Sequence, residues 1–197
     1  MAVKSRRDEY AEVTRAAIVE AAVSRFAADG YASTNIDSIA AVARVTKGAI
    51  YHHFSDKAAL FEAAFVTMEE RLLGNVLAAV SGVEDPWQAL EAGADAFLDE
   101  CLQPDFRRIA LEEAPAALGW MRWKTAEEKY FLGLLMSALE ALATAGVIAI
   151  PPSDLTARML LAALNEAGLS VAAADDPRSQ RALAKDLIDR LLNGLRP

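Results

Sequence analysis

Cysteine is nearly absent: Cys101 stands alone among 197 residues. One thiol excludes an internal disulfide and a cysteine-rich zinc site, and it fits a reducing compartment, the cytoplasm. Histidine is almost as scarce, and the only two, His52 and His53, are adjacent. Aromatic residues are 7% of the chain although hydrophobic residues are 54%, so alanine and leucine dominate, which favours helix. No stretch alternates apolar and polar residues with the period of a strand, and no internal repeat is evident. The opening "MAVKSRRDEY" has no apolar core of a secretory signal. One run, residues 131–150, is long enough to span a bilayer, but Glu140 sits in it, Gly146 should end its helix and Pro151-Pro152 follow. It is expected to be a buried core helix, with no membrane partner.

Net charge is −8, which taken alone speaks against a polyanionic partner. Its distribution says otherwise. Residues 1–57 carry eight Lys and Arg against seven Asp and Glu, so this part is +1 and the rest is −9. An anion-facing head on an acidic body is the pattern this suggests.

The chain is expected to be all-α. Ile18, Ala22 and Phe26 recur every four residues in a helix over about 8–29, with Gly30 at its C-terminal stop. Asn35 caps a short helix over 36–43, and a tight turn at Arg44-Val45 follows. Thr46 caps another short helix over 47–53, and Asp56 caps a long one reaching about Val80. After a linker at 81–86, helices are expected over 87–102, from Pro104, over 120–145, 155–174 and 178–195. Two short helices joined by a tight turn and backed by a third make a helix-turn-helix. Residues 46–53 fall at the reading helix, with Thr46, Lys47, Tyr51 and His52 outward and Ala49, Ile50 and Phe54 inward.

The histidine pair has other interpretations. Neighbours on a helix point about 100° apart, so His52 and His53 do not chelate one ion together. A general base needs a nucleophile and a pocket, and no serine or cysteine is spaced to supply one. His53 packing against the first helix is at least as well supported as contact with DNA.

Taken together, Phe26, Gly30-Tyr31, Thr34-Asn35, Ile39-Ala40, Val45-Thr46, Gly48, Tyr51-His52-His53-Phe54 and Lys57 resemble the DNA-binding head of the tetracycline-repressor (TetR) family. The likeness covers about a quarter of the chain, Phe26 to Phe61. It implies a ligand-responsive transcriptional regulator, not an enzyme, with no cofactor or metal. The expected partners are a double-stranded DNA operator, a small-molecule effector and a second copy of the chain. By position, Thr34, Tyr51 and Lys57 are implied to meet phosphates, Lys47 and His52 to approach base edges, and Gly48 to allow close approach to DNA or a neighbouring helix. Lys4, Arg6 and Arg7 form a basic arm that either reaches DNA or is solvated. The chain departs from the pattern at Arg44, where the turn glycine is replaced; a left-handed backbone there costs on the order of 1 kcal/mol unless the arginine adds a phosphate contact.

The resemblance further implies a DNA-binding domain over 1–56 and a ligand-binding and dimerisation bundle over 57–197. Helices 155–174 and 178–195 are the expected dimer pair, with Ala157, Leu161, Leu164, Gly168 and Val171 on the contact stripe or, alternatively, in the chain's own core. The pocket is expected among Phe97, Phe106, Trp120, Trp123 and Phe131, with Asn165 and Glu166 as polar handles and Pro115 and Gly119 marking an irregular segment nearby. Such a lining suits a small, largely apolar effector. The competing interpretation is a helical small-molecule-binding protein or enzyme that has lost DNA binding, against which Lys47, Tyr51 and Lys57 speak.

Overall fold

Helix α1, Arg6–Ser33, is bent at Gly30, whose backbone (φ 79, ψ 165) lies in a region essentially restricted to glycine. The sequence predicts a stop there; instead one further helical turn follows the bend. The computed structural model describes residues 6–197, with side chains from Tyr10 onward. The side chains of the proposed basic arm, Lys4, Arg6 and Arg7, therefore lie outside the described residues.

Three helices follow close to their expected bounds. They are α2, Ile36–Ala43, α3, Lys47–His53, and α4, Lys57–Val80, capped by side-chain acceptors of Asn35, Thr46 and Asp56. Backbone N–H donation to Asp56 holds its exposed carboxyl below the usual range. The head core is made by Ile18, Ala22 and Phe26 of α1, Ile39 of α2, Ile50 of α3 and Phe61 of α4. The rings of Phe26 and Phe61 meet edge to face at 5.0 Å.

The body continues with α5, Pro86–Glu100, and α6, Pro104–Phe106. A π-helical segment, Arg107–Glu113, leads into α7, Ala114–Ala117. Then come α8, Trp120–Thr144, α9, Asp154–Ala173, and α10, Pro177–Asn193. Among the described residues there is no strand, and no helix is long and apolar enough to cross a membrane. Helix α4 packs on both α1 and α5, so it belongs to both head and body. Arg71 of α4 donates to both carboxylate oxygens of Asp105 and to Glu100, fixing the α5–α6 corner against α4.

Arg44, which closes α2, has φ 56 and ψ 39, the left-handed conformation anticipated for the missing glycine. Its side chain is exposed and makes no bond among the described residues that offsets the strain. Arg44→Gly is expected to raise head stability by about 1 kcal/mol in urea unfolding. A loss of stability in that variant would mean that the arginine holds the turn in some other way.

A candidate nucleic-acid interface and an apolar cavity in the body

The outer face of α3 is polar and open. Tyr51 is 48% exposed, and Thr46, Lys47, Gly48 and His52 are exposed beside it. Inward, Ile50 and Phe54 are buried and Ala49 is half-buried. A Cβ placed on Gly48 would meet nothing but the Thr46 hydroxyl oxygen, at 3.8 Å. Among the described residues no other side chain or backbone crowds that glycine, so the space in front of it is open. Lys47 Nζ donates to Asp37 at 2.9 Å, and this bond raises the pKa of the lysine. The His52 and His53 rings stand edge to face at 5.3 Å, and His53 is half-buried next to Phe54. Among the described residues, no three His, Cys, Asp or Glu side chains group to hold a metal ion.

Two of the residues that the resemblance places at phosphates are engaged within the chain. Thr34 is 2% exposed, and its hydroxyl donates to the carbonyl oxygen of Gly30 at 2.7 Å, closing the bend of α1. Lys57 Nζ donates to the carbonyl oxygens of Tyr31, Ala32 and Thr34 at 2.7, 3.3 and 3.0 Å and lies 4.5 Å from the Tyr31 ring. An ammonium has three donors, and here all three neutralise orphan carbonyls at the end of a helix. Lys57 is thus the clasp between α1 and α4.

Below the head, the C-terminal half of α4 and helices α5, α8, α9 and α10 enclose an apolar cavity of about 300 Å³. Phe97 and Phe131 are in its wall, with Leu90, Leu134 and Leu164. A second cavity of about 240 Å³ lies between α8 and α9 and is lined by Trp120, Trp123, Asn165 and Glu166 among others. Glu127 and Leu161 line both and form the partition. Glu127 is 1% exposed; burial lifts its carboxyl to about 7, with the Asn165 amide opposing the shift. Glu69 of α4 is fully buried, neither of its oxygens has a hydrogen-bond partner, and burial followed by the neighbouring Glu127 raises it well above the carboxylate range.

The π-helical segment joins this region to the head. Trp123 Nε1 donates to the Ala110 carbonyl oxygen at 3.0 Å, and Glu113 accepts from the Tyr31 backbone N–H just past the bend of α1. A Cβ on Gly30 would fall 2.5 Å from a Glu113 oxygen, so the Glu113 side chain would have to shift, and the φ of +79° itself favours glycine.

Comparison with known proteins agrees with both halves. The family description "Bacterial regulatory proteins, tetR family" matches residues 18–64, and "Tetracyclin repressor-like, C-terminal domain" matches 87–195. The chain belongs to the TetR family. The TetC protein of transposon Tn10 in Escherichia coli is 26% identical over 157 residues, 80% of this chain and 79% of that protein. The HTH-type transcriptional regulator TtgR of Pseudomonas putida is 46% identical over 65 residues, which cover 33% of this chain and 31% of TtgR. A crystal structure of a TetR-family regulator from Pectobacterium atrosepticum superposes with a TM-score of 0.86 at 28% identity, over 98% of each chain. As a TetR-family member the chain is a DNA-binding transcriptional regulator and not an enzyme.

Within the TetR frame, the expected pocket residues do not share one cavity. Phe97 and Phe131 wall the larger, while Trp120, Trp123, Asn165 and Glu166 line the smaller. Phe106 is fully buried and lines neither. Trp120, at 55% exposed, is a rim residue. The stripe expected at a dimer contact is also displaced: Ala157, Leu161, Gly168 and Val171 are buried inside the chain and Leu164 is partly buried. At Gly168 a Cβ would come within 2.9 Å of the Phe97 ring, so its small size serves the approach of α9 to α5. The acidic pair escaped the sequence reading although a signal for it existed. Glu127 falls in the four-residue stripe Trp123, Phe131, Leu135, Leu139, and Glu69 falls among Phe65, Met68, Leu72 and Val76.

Proposed function

We propose that the chain is a dimeric repressor, held on a palindromic operator by α3 and released when a small effector enters the larger body cavity. The observation that carries this is a continuous helix, α4, with an open polar helix near one end and an apolar cavity at the other. Val76 and Val80, near the C-terminal end of α4, line the cavity, and the same helix starts at the Lys57 clasp beside α3. A 300 Å³ apolar cavity with few polar groups is of a size and character that take a small ligand. The π-helical segment, through Trp123, Ala110 and Glu113, is a second connection, so α4 is not the only route.

The division into a head, 1–56, and a body, 57–197, is part of this proposal. So is the dimer, supported by an exposed apolar face: Leu155 and Met159 on α9 and Leu183, Leu187 and Leu191 on α10 are each more than half exposed. Five such side chains on adjacent helices favour a two-fold four-helix contact. In the head, Arg44, Thr46, Lys47, Gly48, Tyr51 and His52 remain the surface offered to DNA.

Selection of bound duplexes from random DNA tests this proposal. An inverted repeat with half-sites about one helical turn apart or somewhat more is the expected outcome, and a motif without a dyad contradicts it. With that site in hand, Lys47→Ala is expected to weaken cognate binding by about 1–3 kcal/mol and to relax preference at one or two base pairs. Without DNA, Lys47 is paired with Asp37, so Asp37→Ala is expected to leave the fold intact while freeing the lysine. Equal losses for Lys47→Ala on cognate and random DNA would assign it to the phosphates instead.

A further inference from the structure

The wall of the larger cavity contains no basic side chain and one ionisable group, Glu127. Its electrostatic neighbour is the buried Glu69, neither of whose oxygens has a donor among the described residues. A core that buries two carboxyl groups without a countercharge bears a cost that hydrophobic residues in the same places would remove. The nearby cations are already engaged. Arg71 is bound to Glu100 and Asp105, Arg158 to Glu128 and Asp154, and Lys124 to Glu128. What the pair lacks is a positive charge, and the open space next to it is the cavity.

Resting on the assignment of this cavity as the effector site, we propose that the effector is a lipophilic cation, its charge seated against Glu127, the neighbour of Glu69, and its apolar part against Phe97, Phe131 and Leu164. An anionic ligand would meet like charge at the partition, and a neutral one would leave both carboxyl groups as uncompensated as before. The aromatic walls add attraction for a cation that no alkyl lining provides. The body, at −9 over residues 58–197, draws the same sign of ligand from solution.

The free state holds the pair protonated at mildly acidic pH, because burial raises both carboxyl groups. The charged and titratable groups facing Glu127 are Glu69 of α4, Cys101 at the end of α5, Lys124 and Glu128 along α8, and Arg158 and Glu166 of α9 across the smaller cavity. Of these only Glu69 is a second carboxyl group buried, like Glu127, without a countercharge. A fixed cation therefore binds the ionised Glu127 and must displace its proton at low pH.

The experiment is calorimetric titration of the full chain at pH 8 with octyltrimethylammonium, 1-octanol and octanoate, three probes with a common tail. The cation is expected to bind at least about tenfold more tightly than 1-octanol, with octanoate the weakest, and its affinity to fall by about tenfold per pH unit below pH 7. Glu127→Gln should abolish the advantage of the cation, and Glu127→Asp, which keeps the charge, should retain it. Should Glu127→Gln fail to fold, the wild-type pH series decides: a cation affinity unchanged between pH 8 and pH 5 overturns the proposal. Binding of 1-octanol as tight as that of the cation also overturns it while leaving the cavity as the effector site. Binding of none of the three removes the cavity assignment and this proposal together.

Discussion

Lys57→Met is expected to destabilise the head by about 1.5–3 kcal/mol, the range for hydrogen bonds made by a charged group, without changing the salt dependence of DNA binding. The ammonium closes three carbonyl oxygens at the end of α1 and lies on the Tyr31 ring. Methionine keeps much of the length and apolar surface of the stem but none of the donors. The last turn of α1 then loses its cap, and with it the seat of Tyr31 against Phe61, now at 4.9 Å between ring centroids. Urea unfolding followed by circular dichroism should show the loss. A phosphate-binding lysine behaves differently: removal leaves stability unchanged and lowers the slope of log affinity against log salt by about one. Observation of that second pattern would place Lys57 among the phosphate-contacting residues.

The opposite sign is expected at Glu69. Its pKa is raised in the folded protein, so its contribution to stability is complete below the ordinary carboxylate pKa and is lost as pH rises toward the elevated folded value. At pH 8 the native state either keeps a proton that the unfolded chain has released or carries a buried charge. Glu69→Met, which keeps side-chain volume and fills the same apolar surroundings, should therefore stabilise the chain by about 1–3 kcal/mol at pH 8, with a smaller gain at pH 5. Melting temperature measured across that range reads the difference. Destabilisation at pH 8 would show that the carboxyl group has a partner that repays its burial.

A cost of this kind, retained inside a core, is what marks a site. Along α4 and α8 the apolar repeat is strong enough to dictate which face is buried, and the two glutamates are carried in with it. Local pattern places each acid on an inward face. It does not say that the two faces meet, because α4 and α8 are separated by 39 residues of chain and come into contact only in the folded body.

The reach of the sequence is clear in the head. Asn35, Thr46 and Asp56 are caps in the structure as expected, and Arg44 is left-handed where a glycine is missing, because caps and turns are decided by residues within four positions of one another. The family resemblance rests on the same local run. Roles assigned by position were less secure: Thr34 and Lys57 occupy motif positions, yet their polar atoms are used by the Gly30 bend and the end of α1. The bend itself was legible as a glycine stop, whereas the turn beyond it depends on Glu113, 82 residues away, accepting from the Tyr31 N–H.

The body divides in the same way. Periodicity, capping and Pro or Gly punctuation determined its long helices to within a few residues, since these signals act along one helix. Pro115 and Gly119 announced an irregular stretch, but the π-helical turn is held from outside, by Trp123 on Ala110 and by the docking of Glu113 on the head. Which apolar stripe of α9 faces inward was undecidable from its spacing, because Ala157, Leu161, Gly168 and Val171 are as suited to a partner as to the chain's own α5 and α8. Only the tertiary packing chose, setting Gly168 against Phe97 and leaving Leu155 and Met159 outside. The sequence alone thus determined the helices, the caps and the head motif, which are short-range properties. The cavity, its acidic partition and the exposed apolar face were decided by contacts between distant helices, where burial and shape prevail over local preference.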